Sequence, residues 1–305
     1  TCVSARIKRQ IIEHTILKKK IERFREYIRT KGVTSYAIRR FRDLVRTNYR
    51  ERGRDLPWRK TRDPYRILVS EIMLQQTQVP RVLEKYPEFL KAFPDFTSLA
   101  RAPKIKLLKV WQGMGYNRRA LNLQKAAGKV VEQFGGKLPQ TYERLIELPG
   151  IGPATASDIL AFAYNKPAVV IETNIRAVFI HMFFPDSEDI HDEDILPLIE
   201  KTMDRKNPCD WYNGLMDFGT ELKGLFANPA RKSRHYTRQS KFEGSNRQVR
   251  SRILKYILEH GRTGFSDLAR AIPGSEQRLE NNLIAMKDEG FIMERSGIYT
   301  IKDSD

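Results

Sequence analysis

Leu148-Pro149-Gly150-Ile151-Gly152-Pro153-Ala154-Thr155-Ala156, with Val170-Ile171-Glu172-Thr173-Asn174 about one helix further on, is the stretch around which this 305-residue chain is organised. Upstream, Leu145 and Ile146 end an amphipathic run; downstream, Ala156, Ile159, Leu160 and Ala163 recur at helical spacing. Between them lie two glycines, able to take the positive φ values of a tight reversal. Pro153 suits the first helical position, where its missing N–H is no loss. The expected product is a helix, a hairpin of small residues and a second helix with an open N-terminus. Unpaired amides and the positive end of the helix dipole make that end a seat for a phosphate. A lone Gly-x-Gly between helices is usually a turn; Leu-Pro-Gly-Ile-Gly running into a helix is more specific. It reads as a helix-hairpin-helix gripping a DNA backbone through Gly150, Gly152, Pro153, Ala154 and Thr155.

The charge agrees. The net formal charge is +18, which favours a polyanionic partner, and it is unevenly placed. Residues 1–60 hold 19 Lys/Arg against 6 Asp/Glu, so +13 of the excess is concentrated toward the N-terminus. Only Cys2 and Cys209 are present, which excludes a disulfide framework and a four-cysteine metal site within one chain. No apolar run approaches membrane-spanning length, and the start, Thr1-Cys2, lacks a signal-peptide hydrophobic region. An intracellular, nucleic-acid-facing protein is expected.

Taken in order, residues 4–30 predict a basic helix with an apolar stripe of Ile7, Ile11, Leu17, Ile21, Phe24 and Ile28. It is read as packed on the core by its stripe with the charged face solvated, and DNA or partner contact is the alternative. Thr34 and Ser35 read as an N-cap for a helix from Tyr36 to Arg52. After Asp55-Leu56-Pro57-Trp58-Arg59 and Asp63-Pro64-Tyr65, an apolar helix carries Glu71 among Ile67, Leu68, Val69, Ile72, Met73 and Leu74. A carboxylate in such a run is expensive unless paired or functional, so an outward-pointing Glu71 is the weaker reading.

Further helices are expected near 82–92, 96–101, 104–112, 119–134 and 141–147. Gly113 and Gly115 mark a turn with Tyr116 at its tip and Arg118 and Arg119 behind. That suits an aromatic wedge for a base stack, with a core tyrosine as the alternative. Beyond Glu172, helices are expected near 174–184, 193–204 and 209–224, then a polar basic linker over 229–245. Residues 246–305 follow a separate pattern of three helices and a hairpin about Ser296-Gly297, which suggests a winged helix; DNA binding and docking are equally open for it. The expected fold is mainly α, with an arm at 1–35, a helical domain at 36–228, the linker and the winged-helix domain.

Leu56-Pro57-Trp58-Arg59, Asp63-Pro64-Tyr65, Val69-Ser70-Glu71-Ile72-Met73-Leu74-Gln75-Gln76-Thr77-Gln78-Val79, Trp111-Gln112-Gly113-Met114-Gly115-Tyr116 and Leu148-Pro149-Gly150-Ile151-Gly152 together resemble the adenine DNA glycosylases of the MutY type. These belong to the helix-hairpin-helix (HhH-GPD) glycosylase superfamily, and the similarity spans roughly residues 40–225. It implies a two-lobed helical domain and monofunctional removal of adenine mispaired with guanine or 8-oxoguanine, the target base flipped out of the duplex. Glu71 stands where the family's general acid sits, and its apolar helix is expected to raise its pKa. Glu172 stands at the catalytic aspartate that stabilises a cationic sugar. Gln76 and Tyr116 match residues that enter the duplex. Trp58, Arg59 and Asn174 are assigned to the base pocket.

Four departures from the family follow. Glu172-Thr173-Asn174 replaces Asp-Gly-Asn, and the longer glutamate is expected to cap its helix poorly, shifting the backbone or weakening catalysis. Ala154 stands where bifunctional relatives carry a Schiff-base lysine, so strand cleavage is not expected. The four cysteines of the usual iron–sulfur cluster fall near Lys223, Ala230, Ser233 and Gln239, so no cluster or other cofactor is expected, and the basic loop 229–241 is read as taking over its DNA contact. A winged helix replaces the family's Nudix-like module. The expected partner is double-stranded DNA carrying a mispaired or damaged base, bound by a monomer without membrane association, in a cytoplasmic or nucleoid-associated setting. Two other readings stay open. One is a uracil or thymine mismatch glycosylase of the same fold; the other is a lesion-binding protein without chemistry.

Overall fold

A computed structural model describes residues 2–238 and 241–302, with side chains from residue 11 onward. Fifteen α-helices and one small sheet are described, and the helices fall close to their expected positions. Two compact units arise: residues 1–62 with 153–237, and residues 63–152 with 238–305.

The first unit contains α1 (Cys2–Lys31), α2 (Ser35–Arg52), α9 (Pro153–Phe162), α10 (Thr173–Phe183), α11 (Asp192–Thr202), α12 (Pro208–Leu225) and 3₁₀ turns at Pro57–Lys60 and Pro229–Lys232. Thr34 caps α2, its hydroxyl accepting from the Ala37 amide as its sequence position implies. The N-terminal helix packs on this core through its apolar stripe, as its sequence pattern leads one to expect. Leu17, Ile21, Phe24 and Ile28 are buried while Ile11 is exposed; the Ile7 side chain lies outside the described residues. Phe24 meets Phe41 at 6.1 Å and Phe183 at 5.6 Å, and Phe41 in turn packs on Phe179 and Trp211. Burying this aromatic cluster is what holds α1 down, since each ring removes a large apolar area from water.

The second unit contains α3 (Pro64–Leu74), α4 (Val79–Ala92), α5 (Phe96–Ala100), α6 (Lys104–Trp111), α7 (Arg118–Phe134) and α8 (Tyr142–Ile146). It is completed by α13 (Asn246–His260), β1 (Thr263–Gly264), α14 (Phe265–Ala271), α15 (Glu276–Asp288), β2 (Ile292–Arg295) and β3 (Ile298–Ile301). Asp63 caps α3 and Pro64 occupies its first turn. Phe89, Phe93 and Trp111 stack edge-on in the core, and the Tyr65 hydroxyl donates to the Phe93 carbonyl at 2.6 Å.

The C-terminal strands pair antiparallel in the order β1-β3-β2, with Ile292 opposite Ile301 and Arg295 opposite Ile298. The turn between them takes positive φ at Ser296 and Gly297, as a two-residue hairpin requires. The two-residue β1 was not expected; it is too short to carry a period. Nor does the C-terminal module stand apart as its sequence pattern suggested. Arg118 pairs with Glu289 at 3.1 Å, and Glu289 also takes a two-point bond from Arg250, so charged contacts merge the module with the α7 end of this unit.

Candidate active site

In the second unit the chemistry-bearing residues lie at the C-terminal end of α3 and on the glycine loop before α7. Glu71 occupies the last turn of α3, flanked in the sequence by Ser70, which is fully buried, and Ile72 at 2% exposure. Glu71 itself is half-buried, so it belongs to neither the core nor the open surface. Burial pushes the nearby Tyr86 phenol up to about 12, with smaller upward contributions from the charges of Asp63 and Glu71. Gln76 is exposed and left-handed (φ +54°), and Tyr116 is half-buried and left-handed (φ +46°). Such a backbone is rare for bulky side chains and persists where surroundings over-determine it.

What holds both loops is Arg119, noticed in the sequence only as a basic residue. Its guanidinium donates to the carbonyls of Ile72 (2.8 Å), Met73 (3.0 Å) and Gln75, and to the Thr77 hydroxyl (2.9 Å). It also donates to the carbonyls of Met114 (3.2 Å) and Gly115 (3.1 Å). One side chain therefore fastens the segment carrying Gln76 to the loop carrying Tyr116. Burial draws its pKa down to about 10, which leaves it charged at neutral pH.

The hairpin has the expected form: Gly150 takes φ +81°, and the Ile151 amide donates to the Leu148 carbonyl at 3.1 Å. A Cβ at Gly150 would come within 2.8 Å of the Asn122 Cβ, so close approach as well as dihedral freedom requires glycine. Gly152, Pro153 and Ala154 are exposed and α9 begins at Pro153; Thr155 is buried, so its side chain is turned inward.

In the first unit Glu172 has an extended backbone and is the N-cap of α10. Its Oε1 accepts from the amides of Asn174 (2.8 Å) and Ile175 (3.0 Å). The longer side chain thus folds back and caps two donors, where a weak cap was expected. Lys223 of α12 donates to Asn174 Oδ1 at 2.7 Å; burial lowers its pKa while the nearby Glu172 charge opposes that shift. Gly219, one turn earlier, lets α12 approach the Asn174 backbone, where a Cβ would lie 2.5 Å from the Asn174 oxygen.

Trp58 and Arg59 are placed otherwise than expected. Trp58 is 6% exposed, and Arg59 forks onto Asp217 at 2.7 and 2.9 Å. Asp217 also accepts from the Arg54 amide and guanidinium. These bonds hold the Asp217 carboxyl below its ordinary pKa in spite of burial. Arg59 is occupied inside the unit because a buried carboxylate needs such donors, and Trp58 lies in the unit's core. Since its folded pKa is depressed, this carboxylate stabilises the protein fully above about pH 4, and the contribution is lost as pH falls through the lower folded value. Asp217→Asn is expected to lower unfolding free energy by about 3–5 kcal/mol, read by urea denaturation at pH 7, with a smaller difference from wild type at pH 3.

The positions aligned with cluster cysteines do not fit an iron–sulfur cluster. Lys223 serves Asn174, Ala230 is buried, and Ser233 Oγ accepts from the His235 amide; Gln239 lies outside the described residues. None of these side chains is a thiolate, and no group of three or more His, Cys, Asp or Glu among the described residues is placed to hold a metal ion. The segment read as a linker is instead closed by backbone. Ile190 and Ser233 form a parallel bridge, with the Ile190 amide on the Lys232 carbonyl (2.9 Å) and the Arg234 amide on the Ile190 carbonyl (3.1 Å). Arg231, Arg234, His235 and Arg238 remain exposed. No described helix is long and apolar enough to cross a membrane.

Residues 69–202 match the HhH-GPD superfamily base excision DNA repair protein model. An adenine DNA glycosylase of Buchnera aphidicola (subsp. Baizongia pistaciae) is 38% identical over 178 residues, covering 57% of this chain and 50% of that protein. The Homo sapiens adenine DNA glycosylase is 32% identical over 216 residues, covering 65% and 40%. The chain thus spans about half the length, or less, of these curated relatives. Among solved structures, a thermostable thymine-DNA glycosylase superposes with a TM-score of 0.55 at 29% identity, over 60% of this chain and 85% of that one.

Proposed function

We propose, for a chain that belongs over residues 69–202 to the HhH-GPD superfamily of base excision DNA repair proteins, that it is a monofunctional DNA glycosylase releasing adenine mispaired with guanine or 8-oxoguanine. The observation that carries the reading is Glu71, a half-buried carboxyl at the end of an apolar helix, followed by the Arg119-fastened segment bearing Gln76. Cleavage of an N-glycosidic bond passes through an oxocarbenium-like sugar and gains from an acid and a carboxylate. Glu71 gives the proton that turns the base into a leaving group. Glu172, held by two backbone amides, gives the negative charge that favours the cationic sugar and directs water. Gln76 and Tyr116 occupy the gap left by the flipped base, whose extrusion costs a few kcal/mol. The exposed turn at Gly152, Pro153 and Ala154 receives a backbone phosphate.

The reaction needs no cofactor, and with alanine at position 154 no imine forms there, so the strand stays intact. The partner is duplex DNA bound by a monomer, in whichever compartment holds the DNA. The C-terminal module, with its three helices and antiparallel hairpin, is a winged helix.

The likeness to a thymine-DNA glycosylase favours a second reading, in which the base is thymine or uracil opposite guanine. Single-turnover assays on duplexes carrying A:8-oxoguanine, A:G, U:G and T:G separate the two. Free adenine from the first two is expected, without strand scission. Release confined to U:G or T:G overturns the adenine assignment, and release from none favours the lesion binder.

A further inference from the structure

Tyr116 is held from the C-terminal module. Arg247, in the first turn of α13, donates from Nη1 to the Tyr116 hydroxyl at 2.7 Å, and its guanidinium lies over the ring at 5.5 Å. The Arg119 guanidinium also lies over that ring at 5.5 Å. Each cation at this distance from the ring makes a favourable contact with its quadrupole, stronger where water is thinned.

The turn that presents Arg247 is itself tied down. Ser245 caps α13, the Gly244 amide donates to Gln248 Oε1 at 2.9 Å, and Arg278 of α15 bonds Asn246 Oδ1 and the Gly244 carbonyl. Beside it opens a cleft of about 900 Å³, lined in part by Gln76, Tyr116, Phe242, Arg247 and Phe291. A tyrosine at φ +46° between a glycine loop and a helix start does not keep one pose unaided. Arg119 fixes the loop backbone at Met114 and Gly115, while Arg247 fixes the side chain at the far end of the ring.

We infer that Arg247 is a positioning residue, through which the C-terminal module sets the pose of Tyr116 before DNA is met. The inference deepens the glycosylase reading and rests on it for the role of Tyr116. It gives the module a task that needs no DNA contact of its own: an aromatic side chain already oriented loses less freedom on entering a duplex.

The test is a cycle of Arg247→Ala, Tyr116→Leu and the double variant in the full chain, with Arg247→Lys as the conservative substitution. Two readouts are taken: single-turnover adenine release from an A:8-oxoguanine duplex, and amide hydrogen exchange at residues 115–117 without DNA. Arg247→Ala is expected to slow release about tenfold in the wild-type background but less than about twofold beside Tyr116→Leu. Exchange at 115–117 should quicken at least about fivefold, with unchanged exchange in α3 and α7. Arg247→Lys should recover part of both effects. An equal loss in both backgrounds overturns the inference, since Arg247 would then act on DNA or on the fold. So does unchanged exchange at 115–117. If the wild type releases no base from any duplex, the glycosylase reading fails while the exchange result still judges the tie between Arg247 and Tyr116.

Discussion

Glu71→Gln lowers single-turnover release of adenine by about 10²–10⁴-fold and leaves binding to the same duplex within a few-fold of wild type. Glutamine keeps the size of the side chain and a hydrogen-bonding end, so the half-buried packing of position 71 is retained. What it removes is a transferable proton. Loss of an interaction made only as the bond breaks reduces the rate and not the affinity. Release and binding measured on one preparation check this, with thermal unfolding as a control for the fold. Equal rates above background for Glu71→Gln and wild type would remove Glu71 from the chemistry, whereas equal, background-level release in both would favour the lesion-binding reading. The half-buried position matters: a fully exposed carboxyl would share its proton with water, and a fully enclosed one could not reach a base.

Arg119→Ala carries the second large effect, on stability and activity together. The substitution strips donors from the carbonyls of Ile72, Met73, Gln75, Met114 and Gly115 and from the Thr77 hydroxyl. The first three close the C-terminal end of α3, where unpaired carbonyls and the negative end of the dipole favour a cation. Leaving such acceptors without a donor costs about 1–3 kcal/mol for each one that water does not reach, to be read by urea denaturation. Because Gln76 and Tyr116 flank its acceptors, the surviving folded protein should also release base about 10²-fold more slowly, the scale set by displacements near 1 Å. Arg119→Lys restores the charge but not the planar fork, so it should recover only part of either loss. Stability within about 1 kcal/mol of wild type, with release within about twofold, would overturn the assignment.

Much of this molecule could be read from local patterns, because helix periodicity and caps are properties of neighbours in sequence. The apolar spacing of α3, the Thr34 cap, the Gly150 reversal and the Ser296-Gly297 hairpin all depend on residues within a few positions of one another. Glu71 and the hairpin could be singled out for the same reason. Arg59, assigned to the base pocket on the resemblance, is committed elsewhere: its partner, Asp217, lies 158 positions away. No local signal separates an arginine that reads a base from one that neutralises a buried carboxylate.

Pattern and chemistry along the chain were enough for the helical class, the hairpin, the acidic residues worth testing and the absence of cysteines at the cluster positions. Three-dimensional packing was needed to learn that Glu172 caps two amides, that Arg119 fastens two loops and that Arg247 reaches Tyr116 across 131 positions. The division follows from physics: backbone preference and amphipathic period act over a few residues, whereas a guanidinium is committed only when folding brings its acceptors within about 3 Å.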